Sequence, residues 1–161
     1  MVRPPSRYDV DRQSHARADL LARLIPAGRS ILDFGAYRGV MAGRLAWHGF
    51  DVTAVSPELQ PVPDVVPIIG LLGPDEIRQL GTFDYTVALS VLHHQEDRWR
   101  DVWAALLDVT RHKVYVEVPR PGEPGVPHPE GLAAFFAGFP TVGTFPGKRA
   151  GWSRDIVEVN C

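Results

Sequence analysis

The sequence has almost no cysteine and no long apolar run. Its 161 residues contain a single cysteine, Cys161, which excludes an intrachain disulfide and a site of several thiolates. This usage is typical of a reducing compartment, so we expect a cytoplasmic protein. No apolar run approaches the roughly 20 residues of a membrane span, and the first residues lack a signal-peptide core. The histidines show no spacing typical of a metal site, so no metal is expected.

Strong net charge is also absent. The chain has 17 basic and 19 acidic residues and a formal net charge of −2, so its composition indicates no strongly acidic or basic partner. Local arginine patches still leave nucleic acid open. Apolar residues make up 45% and charged residues 22% of the chain, which is ordinary globular usage and excludes a disordered or fibrous protein. At this length we predict one compact domain over residues 1–161.

Strand and helix patterns alternate along the chain. Strands are predicted at 30–34, 50–55, 65–69, 83–90 and 113–118, with two more at about 141–145 and 154–160. Helices are predicted at about 9–25, 40–48, 74–80, 99–109 and 129–137. Pro67 suits an edge strand, because proline cannot donate to a neighbouring strand. This alternation predicts a mostly parallel sheet with helices on both faces.

The first predicted strand ends in the glycine-containing loop Gly35–Gly39. In an open parallel sheet a ligand binds beyond the carboxyl ends of the strands, next to the point where strand order reverses. Glycines there allow close approach of the backbone, and the following helix offers free N–H groups. Closure of a tight turn explains the same glycines equally well. The dinucleotide pattern G-x-G-x-x-G is broken by Tyr37 and Val40, which disfavours a nicotinamide enzyme.

Between Ile31 and Val118 the sequence resembles the class I S-adenosylmethionine-dependent methyltransferases. The run Ile31–Gly39 is similar to the first motif of that family, an acid followed by spaced glycines, and Leu45–Val55 is similar to its continuation. Phe83–His94 is similar to the fourth-strand motif, and Val116–Pro119 to the fifth strand. The resemblance implies a Rossmann-like α/β fold with a mostly parallel seven-stranded sheet whose last strand is antiparallel. It also implies S-adenosylmethionine as the cofactor.

The resemblance further implies which residues hold the cofactor. Asp33 would support the loop and the cofactor amino group, and Leu89 would place a backbone carbonyl near the sulfonium. Ser56 stands where family members carry an acid for the ribose hydroxyls, so Glu58 would have to reach back to them. Adenine would be held by apolar contact near Leu71. The predicted cofactor-binding residues are Asp33, Gly35, Ala36, Tyr37, Gly39, Ser56, Glu58, Leu71, Leu89 and Ser90.

Three residues are candidates for catalysis. Methyl transfer depends mainly on alignment, and a base helps only when the acceptor is protonated. His93 and His94 follow the fourth predicted strand, where a base could act. The alternative is that one packs or caps the loop while the other is exposed. Glu117, at the end of the fifth strand, is either a base or a structural acid that bonds loop N–H groups.

These residues predict transfer of a methyl group from S-adenosylmethionine to an oxygen or nitrogen of a small molecule. Only the first helix and the loop Pro119–Pro129 could cover such an acceptor. Either a homo-oligomer closes the site, or the acceptor belongs to a macromolecule such as RNA or protein. A non-catalytic binding or assembly module is the remaining alternative, suggested by Tyr37, Ser56 and the missing third-strand acid. No membrane partner is expected.

Overall fold

The structure is a computed structural model that describes residues 7–126, 129–147 and 151–161. Its strands are β1 (Ser30–Phe34), β2 (Asp51–Val55), β3 (Val65–Ile68), β4 (Phe83–Ala88), β5 (Thr110–Val118), β6 (Thr141–Pro146) and β7 (Ser153–Asn160). Its helices are α1 (Arg7–Leu24), α2 (Val40–Trp47), α3 (Pro74–Arg78), α4 (Trp99–Asp108) and α5 (Pro129–Phe136). Within these described ranges, no helix combines the length and the apolar character needed to cross a membrane.

The seven strands form one mixed sheet in the order β3-β2-β1-β4-β5-β7-β6. The first five strands in this order run parallel, and β7 runs antiparallel to both β5 and β6. In the central strand β1, Ile31 pairs with Val52 on one side and with Tyr85 on the other. The predicted Rossmann-like sheet with an antiparallel last strand is therefore confirmed.

Two apolar layers cover the sheet. On one face α1 and α2 pack on Ile31 through residues such as Leu21 and Leu45. On the other face Leu32 lies with residues of α3, α4 and α5, among them Trp103. Neighbouring residues of a strand point to opposite faces, so both faces of β1 are buried. At about 25 cal/mol per Å² of apolar surface removed from water, this double burial is the main stabilising contribution to the fold.

Two strand boundaries differ from the sequence prediction by more than one residue. β4 ends at Ala88 rather than Ser90, because Ser90 has φ 56° and that left-handed conformation cannot continue a strand. β5 begins at Thr110 rather than Lys113. The buried Thr110 hydroxyl donates to the Leu106 carbonyl at 2.6 Å and bonds Thr86 at 2.7 Å, so the strand starts directly after α4. Exposed polar residues after Thr110 hide this start in the sequence.

β3 lies at the outer edge of the sheet and pairs with β2 alone. Pro67 of this strand is aligned with Ala54 of β2. The edge position predicted from this proline is confirmed.

Candidate functional site

The carboxyl ends of β1, β2, β4 and β5 form one edge of the sheet, which we call the carboxyl edge. The chain leaves the outer strand β3 and returns through α3 to β4, on the opposite side of β1. Strand order therefore reverses beside β1, and a ligand of an open α/β sheet binds at such a point. The loops after β1, β2 and β4 meet there.

The loop after β1 is held by the end of β2. The N–H groups of Gly35 and Ala36 both donate to the Val55 carbonyl, at 2.9 and 3.0 Å, and the Gly39 N–H closes the turn on the Ala36 carbonyl at 2.9 Å. Tyr37, which stands where the family motif has its middle glycine, takes φ 52°. A non-glycine residue pays about 1–2 kcal/mol for that left-handed conformation. The loop thus completes its turn with tyrosine.

The two glycines that flank this turn have close protein neighbours. A Cβ on Gly35 would lie 2.5 Å from the Val91 Cβ, and a Cβ on Gly39 would lie 2.7 Å from Val62 and 2.9 Å from Leu59. Both glycines also have positive φ, 85° and 89°. Their small size therefore serves the packing of the chain itself.

Asp33 is the penultimate residue of β1 and is buried. By strand alternation its side chain shares the α1 and α2 face of the sheet with Ile31. Its Oδ2 atom has no hydrogen-bond partner within the part of the chain that the structure describes. Burial raises the pKa of this carboxyl to about 7. A buried carboxylate oxygen without a partner lacks the cation or donor that would stabilise its charge.

The loop after β2 places Ser56 and Glu58 in different environments. Ser56 is buried, its backbone continues the ladder towards β3, and its hydroxyl accepts the Glu58 N–H at 3.2 Å. The Glu58 side chain is exposed. Leu71 directly follows Gly70, whose N–H makes the last backbone bond of this ladder, and its side chain is 77% exposed. This side of the edge therefore offers one accessible carboxylate and one accessible apolar side chain.

The loop after β4 carries both candidate histidines. His93 is buried and His94 is exposed, on the short turn Leu92–His94. Their ring centroids lie 4.1 Å apart. Leu89 and Ser90 precede them at the carboxyl edge, and Leu89 is buried. The structure thus places the two rings side by side, with only His94 open to solvent.

Glu117 belongs to a buried cluster that joins five segments, and we call this cluster the Arg154 network. Its members are Arg17, Ser90, Glu117, Glu123 and Arg154. Arg17 of α1 donates to Glu117 Oε2 at 2.6 Å, and the Ser90 hydroxyl donates to Glu117 Oε1. Arg154 of β7 donates to the Ser90 hydroxyl at 2.8 Å and pairs with Glu123 at 2.8 Å. Glu117, Glu123 and Arg154 are all nearly inaccessible to solvent.

Sequence reasoning found Ser90 and Glu117 but missed their partners. Arg17 is 100 residues from Glu117, and Arg154 is 37 residues from it. The sequence signal for these partners is Arg154 itself. It is a charged residue at the start of the last predicted strand, next to apolar residues, and a charge buried there requires a partner. In these bonds Glu117 accepts from side chains, whereas a structural Glu117 was expected from the sequence to accept from loop N–H groups.

Two surface cavities lie beside this edge. One of about 420 Å³ lies between α2 and residues 60–63 and includes Gly39. The other, of about 240 Å³, lies between α5 and the end of β5. Neither contains Asp33, Ser56 or Leu89. Apart from Gly39, the predicted cofactor-binding residues therefore lie outside these two cavities.

Comparison with known proteins gives sequence relatives and structural relatives. No family model matches the chain. It is 31% identical over 120 residues to proteins named uncharacterized methyltransferase from Mycobacterium tuberculosis strain H37Rv and from Mycobacterium bovis. The match covers 71% of this chain and 45% of each relative, so the chain spans less than half the length of these relatives.

Solved structures share the fold at low identity. The magnesium protoporphyrin IX methyltransferase of Synechocystis PCC 6803, solved with bound S-adenosylmethionine, superposes with a TM-score of 0.67 at 17% identity, over 95% of this chain and 81% of that one. The 1,6-didemethyltoxoflavin-N1-methyltransferase of Burkholderia thailandensis, solved with S-adenosylhomocysteine, gives 0.65 at 19% identity, over 93% and 78%. The fold implied by the sequence resemblance is therefore confirmed: the chain shares the Rossmann-like fold of these methyltransferases, and its sequence relatives are also named methyltransferase.

Proposed function

We propose that the chain binds S-adenosylmethionine at the carboxyl edge and transfers its methyl group to an oxygen or nitrogen of a small-molecule acceptor. The observation that carries this proposal is Asp33, whose buried Oδ2 atom has no partner among the described residues. The ammonium group of the methionine moiety is the cation that this carboxyl lacks, and pairing with it would favour the ionised form. The sequence relatives named methyltransferase, and the methyltransferase structures that share the fold, support the same proposal.

The other cofactor contacts follow the loops of the carboxyl edge. Gly35, Ala36, Tyr37 and Gly39 form the turn that would lie along the methionine moiety. The Glu58 carboxylate would accept hydrogen bonds from the ribose hydroxyls, because it is exposed whereas Ser56 is buried. The exposed side chain of Leu71 would cover adenine. The Leu89 carbonyl and Ser90 would face the sulfonium side, where the bound cofactor supplies an electrophilic methyl group.

Among the catalytic candidates, we assign the base to His94. Its side chain is exposed, whereas His93 is buried beneath it and would orient the ring through their contact. Glu117 already accepts bonds from Arg17 and Ser90, so we assign it a structural role. His94 would take a proton from the acceptor as the methyl group arrives, which is needed only for a protonated nucleophile.

The acceptor side of the site needs a cover. We infer that a second copy of the chain supplies it, because Gly39 is the only residue assigned to the cofactor that lines either cavity described above, and the other assigned residues lie outside both. Their position outside both cavities also favours a macromolecular acceptor, RNA or protein, as the second candidate. Light scattering with and without cofactor distinguishes the first case from the second.

Calorimetry with S-adenosylmethionine and S-adenosylhomocysteine tests the proposal. We expect Asp33→Asn to bind about 10- to 150-fold more weakly than wild type, the range of a lost hydrogen bond to a charged group. Asp84→Asn is the matched control, because Asp84 lies near the opposite end of the same strand pair, bonded to the Ser30 N–H at 3.1 Å. No binding by wild type would support the non-catalytic module. With binding established, a screen of labelled methyl transfer to extract fractions identifies the acceptor.

A further inference from the structure

The Arg154 network connects the loop after β4 with the loop after β5. The Nη1 atom of the Arg154 guanidinium donates to the Ser90 hydroxyl at 2.8 Å and lies 3.5 Å from Glu117 Oε1. The other donors reach Glu123 at 2.8, 3.0 and 3.2 Å. A planar guanidinium can serve both sides at once, whereas a lysine ammonium is a single point of charge.

Ser90 holds a backbone conformation that needs support. Its φ of 56° is unfavourable for a residue with a Cβ, and such residues persist where the surroundings fix them. Here the support is the side chain, which accepts from Arg154 and donates to Glu117. The peptide between Leu89 and Ser90 is oriented by this φ, so the network sets the direction of the Leu89 carbonyl.

The second arm of the network holds the loop after β5. Glu123 is buried, and its carboxylate also accepts the Arg120 N–H at 3.3 Å. The Glu123 N–H in turn donates to the Arg120 carbonyl at 3.1 Å. Residues 119–126 are therefore tied to β7 through a desolvated ion pair, and they lie at the edge where the acceptor must approach.

We propose that Arg154 is a positioning residue for methyl transfer. Through Ser90 it aims the Leu89 carbonyl at the cofactor, and through Glu123 it fixes residues 119–126 as one wall of the acceptor side. This inference rests on the proposed function, because it assigns a task to the cofactor site. Arg154 itself is too deeply buried to touch either substrate.

The test compares Ser90→Ala, Arg154→Lys, the double variant and Glu123→Gln with wild type. Arg154→Lys retains the positive charge between two buried carboxylates, so we expect it to fold, whereas a neutral residue would leave the buried Glu123 carboxylate without its cation. Thr86→Val is the matched control, because it removes a buried side-chain bond of 2.7 Å between Thr86 and Thr110, away from the network. Calorimetry with S-adenosylhomocysteine and chemical denaturation are measured on every variant.

We expect Ser90→Ala and Arg154→Lys each to weaken S-adenosylhomocysteine binding by up to about tenfold, while Thr86→Val loses stability without losing affinity. Because Arg154 acts on the cofactor through Ser90, adding Arg154→Lys to Ser90→Ala should change affinity by less than about twofold. In cofactor-free protein, amide exchange should accelerate at residues 89–91 in the first two variants and at 119–126 in Arg154→Lys and Glu123→Gln.

Additive losses in the double variant, or an equal loss of affinity in Thr86→Val, would overturn the positioning role. Unchanged exchange at residues 89–91 would do the same. A wild-type protein that does not bind S-adenosylhomocysteine refutes the proposed function instead. In that event the exchange pattern alone decides whether Arg154 holds the two loops.

Discussion

The substitution Asp33→Asn should stabilise the cofactor-free protein at neutral and alkaline pH. The asparagine side chain has nearly the same shape as the aspartate side chain but cannot ionise. It therefore removes the cost of placing a negative charge in the core without opening a cavity. Since the same carboxyl is proposed to pair with the cofactor ammonium, the variant should gain stability while it loses cofactor affinity.

The magnitude follows from the pKa of Asp33 in the two states. Burial raises this pKa from 3.8 to about 7 on folding. Between these values the folded state binds more protons than the unfolded state, so the free energy of unfolding falls as the pH rises and levels off above about pH 7. At 1.36 kcal/mol per unit, the full difference of about 3 units corresponds to at most about 4 kcal/mol. In Asp33→Asn the free energy of unfolding does not fall in this way, because the asparagine side chain does not ionise.

Urea denaturation of both proteins without cofactor, between about pH 5 and pH 8, measures the effect. The stability difference in favour of Asp33→Asn should grow by about 2–3 kcal/mol over that range, because titrations shared by both proteins cancel. Asp84→Asn is the control without a pH trend. A hydrogen bond from the Ser30 N–H lowers the pKa of Asp84, so this carboxyl is almost fully ionised in both states above about pH 5, and the variant should be less stable than wild type by an amount that stays constant between about pH 5 and pH 8. A stability difference for Asp33→Asn that does not change with pH would refute the reasoning.

Three further predictions concern the loops of the carboxyl edge. Glu58→Gln should weaken S-adenosylmethionine binding about 10- to 150-fold by calorimetry, and binding equal to wild type would exclude Glu58 as the ribose acceptor. Gly39→Val should lower the free energy of unfolding as well as affinity, because its Cβ would meet Val62 and Leu59 at 2.7 and 2.9 Å; denaturation showing full wild-type stability would contradict that packing. His94→Ala should lower turnover about 10² to 10⁴-fold and remove the rise of rate with pH, with cofactor affinity retained, whereas an unchanged pH profile would leave orientation as the mechanism.

The elements of this fold were predictable where local pattern decides them. Ser30–Phe34 is a short apolar run closed by glycine, and its predicted bounds are those of β1. Pro67 marked the edge strand correctly, because a missing donor restricts a strand whatever surrounds it. The start of β5 was not predictable in this way, since Thr110 begins the strand through bonds to Thr86 and Leu106 that only the folded chain brings together.

The same distinction between local pattern and tertiary contacts separates the predicted from the unpredicted features of the site. The sequence pattern placed Asp33 and the turn Gly35–Gly39 at the end of the first strand, where the structure has them. It did not predict that Asp33 lacks a partner, because burial of one oxygen depends on the packing of α1 and α2. The Arg154 network was missed for a related reason: a pairing between residues 31 to 100 positions apart leaves no periodic signal in the sequence.

The edge strand β3 also determines where the sheet stops. Ile68 turns its carbonyl towards β2, where the Ser56 N–H donates to it at 3.2 Å, so the neighbouring Pro67 turns its nitrogen outward. On that outer rim Pro67 has no hydrogen to donate, and the Val65 N–H is already bonded to the Val62 carbonyl at 3.4 Å. A strand from another molecule would find almost no donors along this rim. With another apolar residue in place of Pro67, the segment Val65 to Ile69 would present apolar side chains and a free N–H group on an open edge, where Val66 and Ile69 are more than half exposed. Such an edge is prone to intermolecular β-pairing and aggregation.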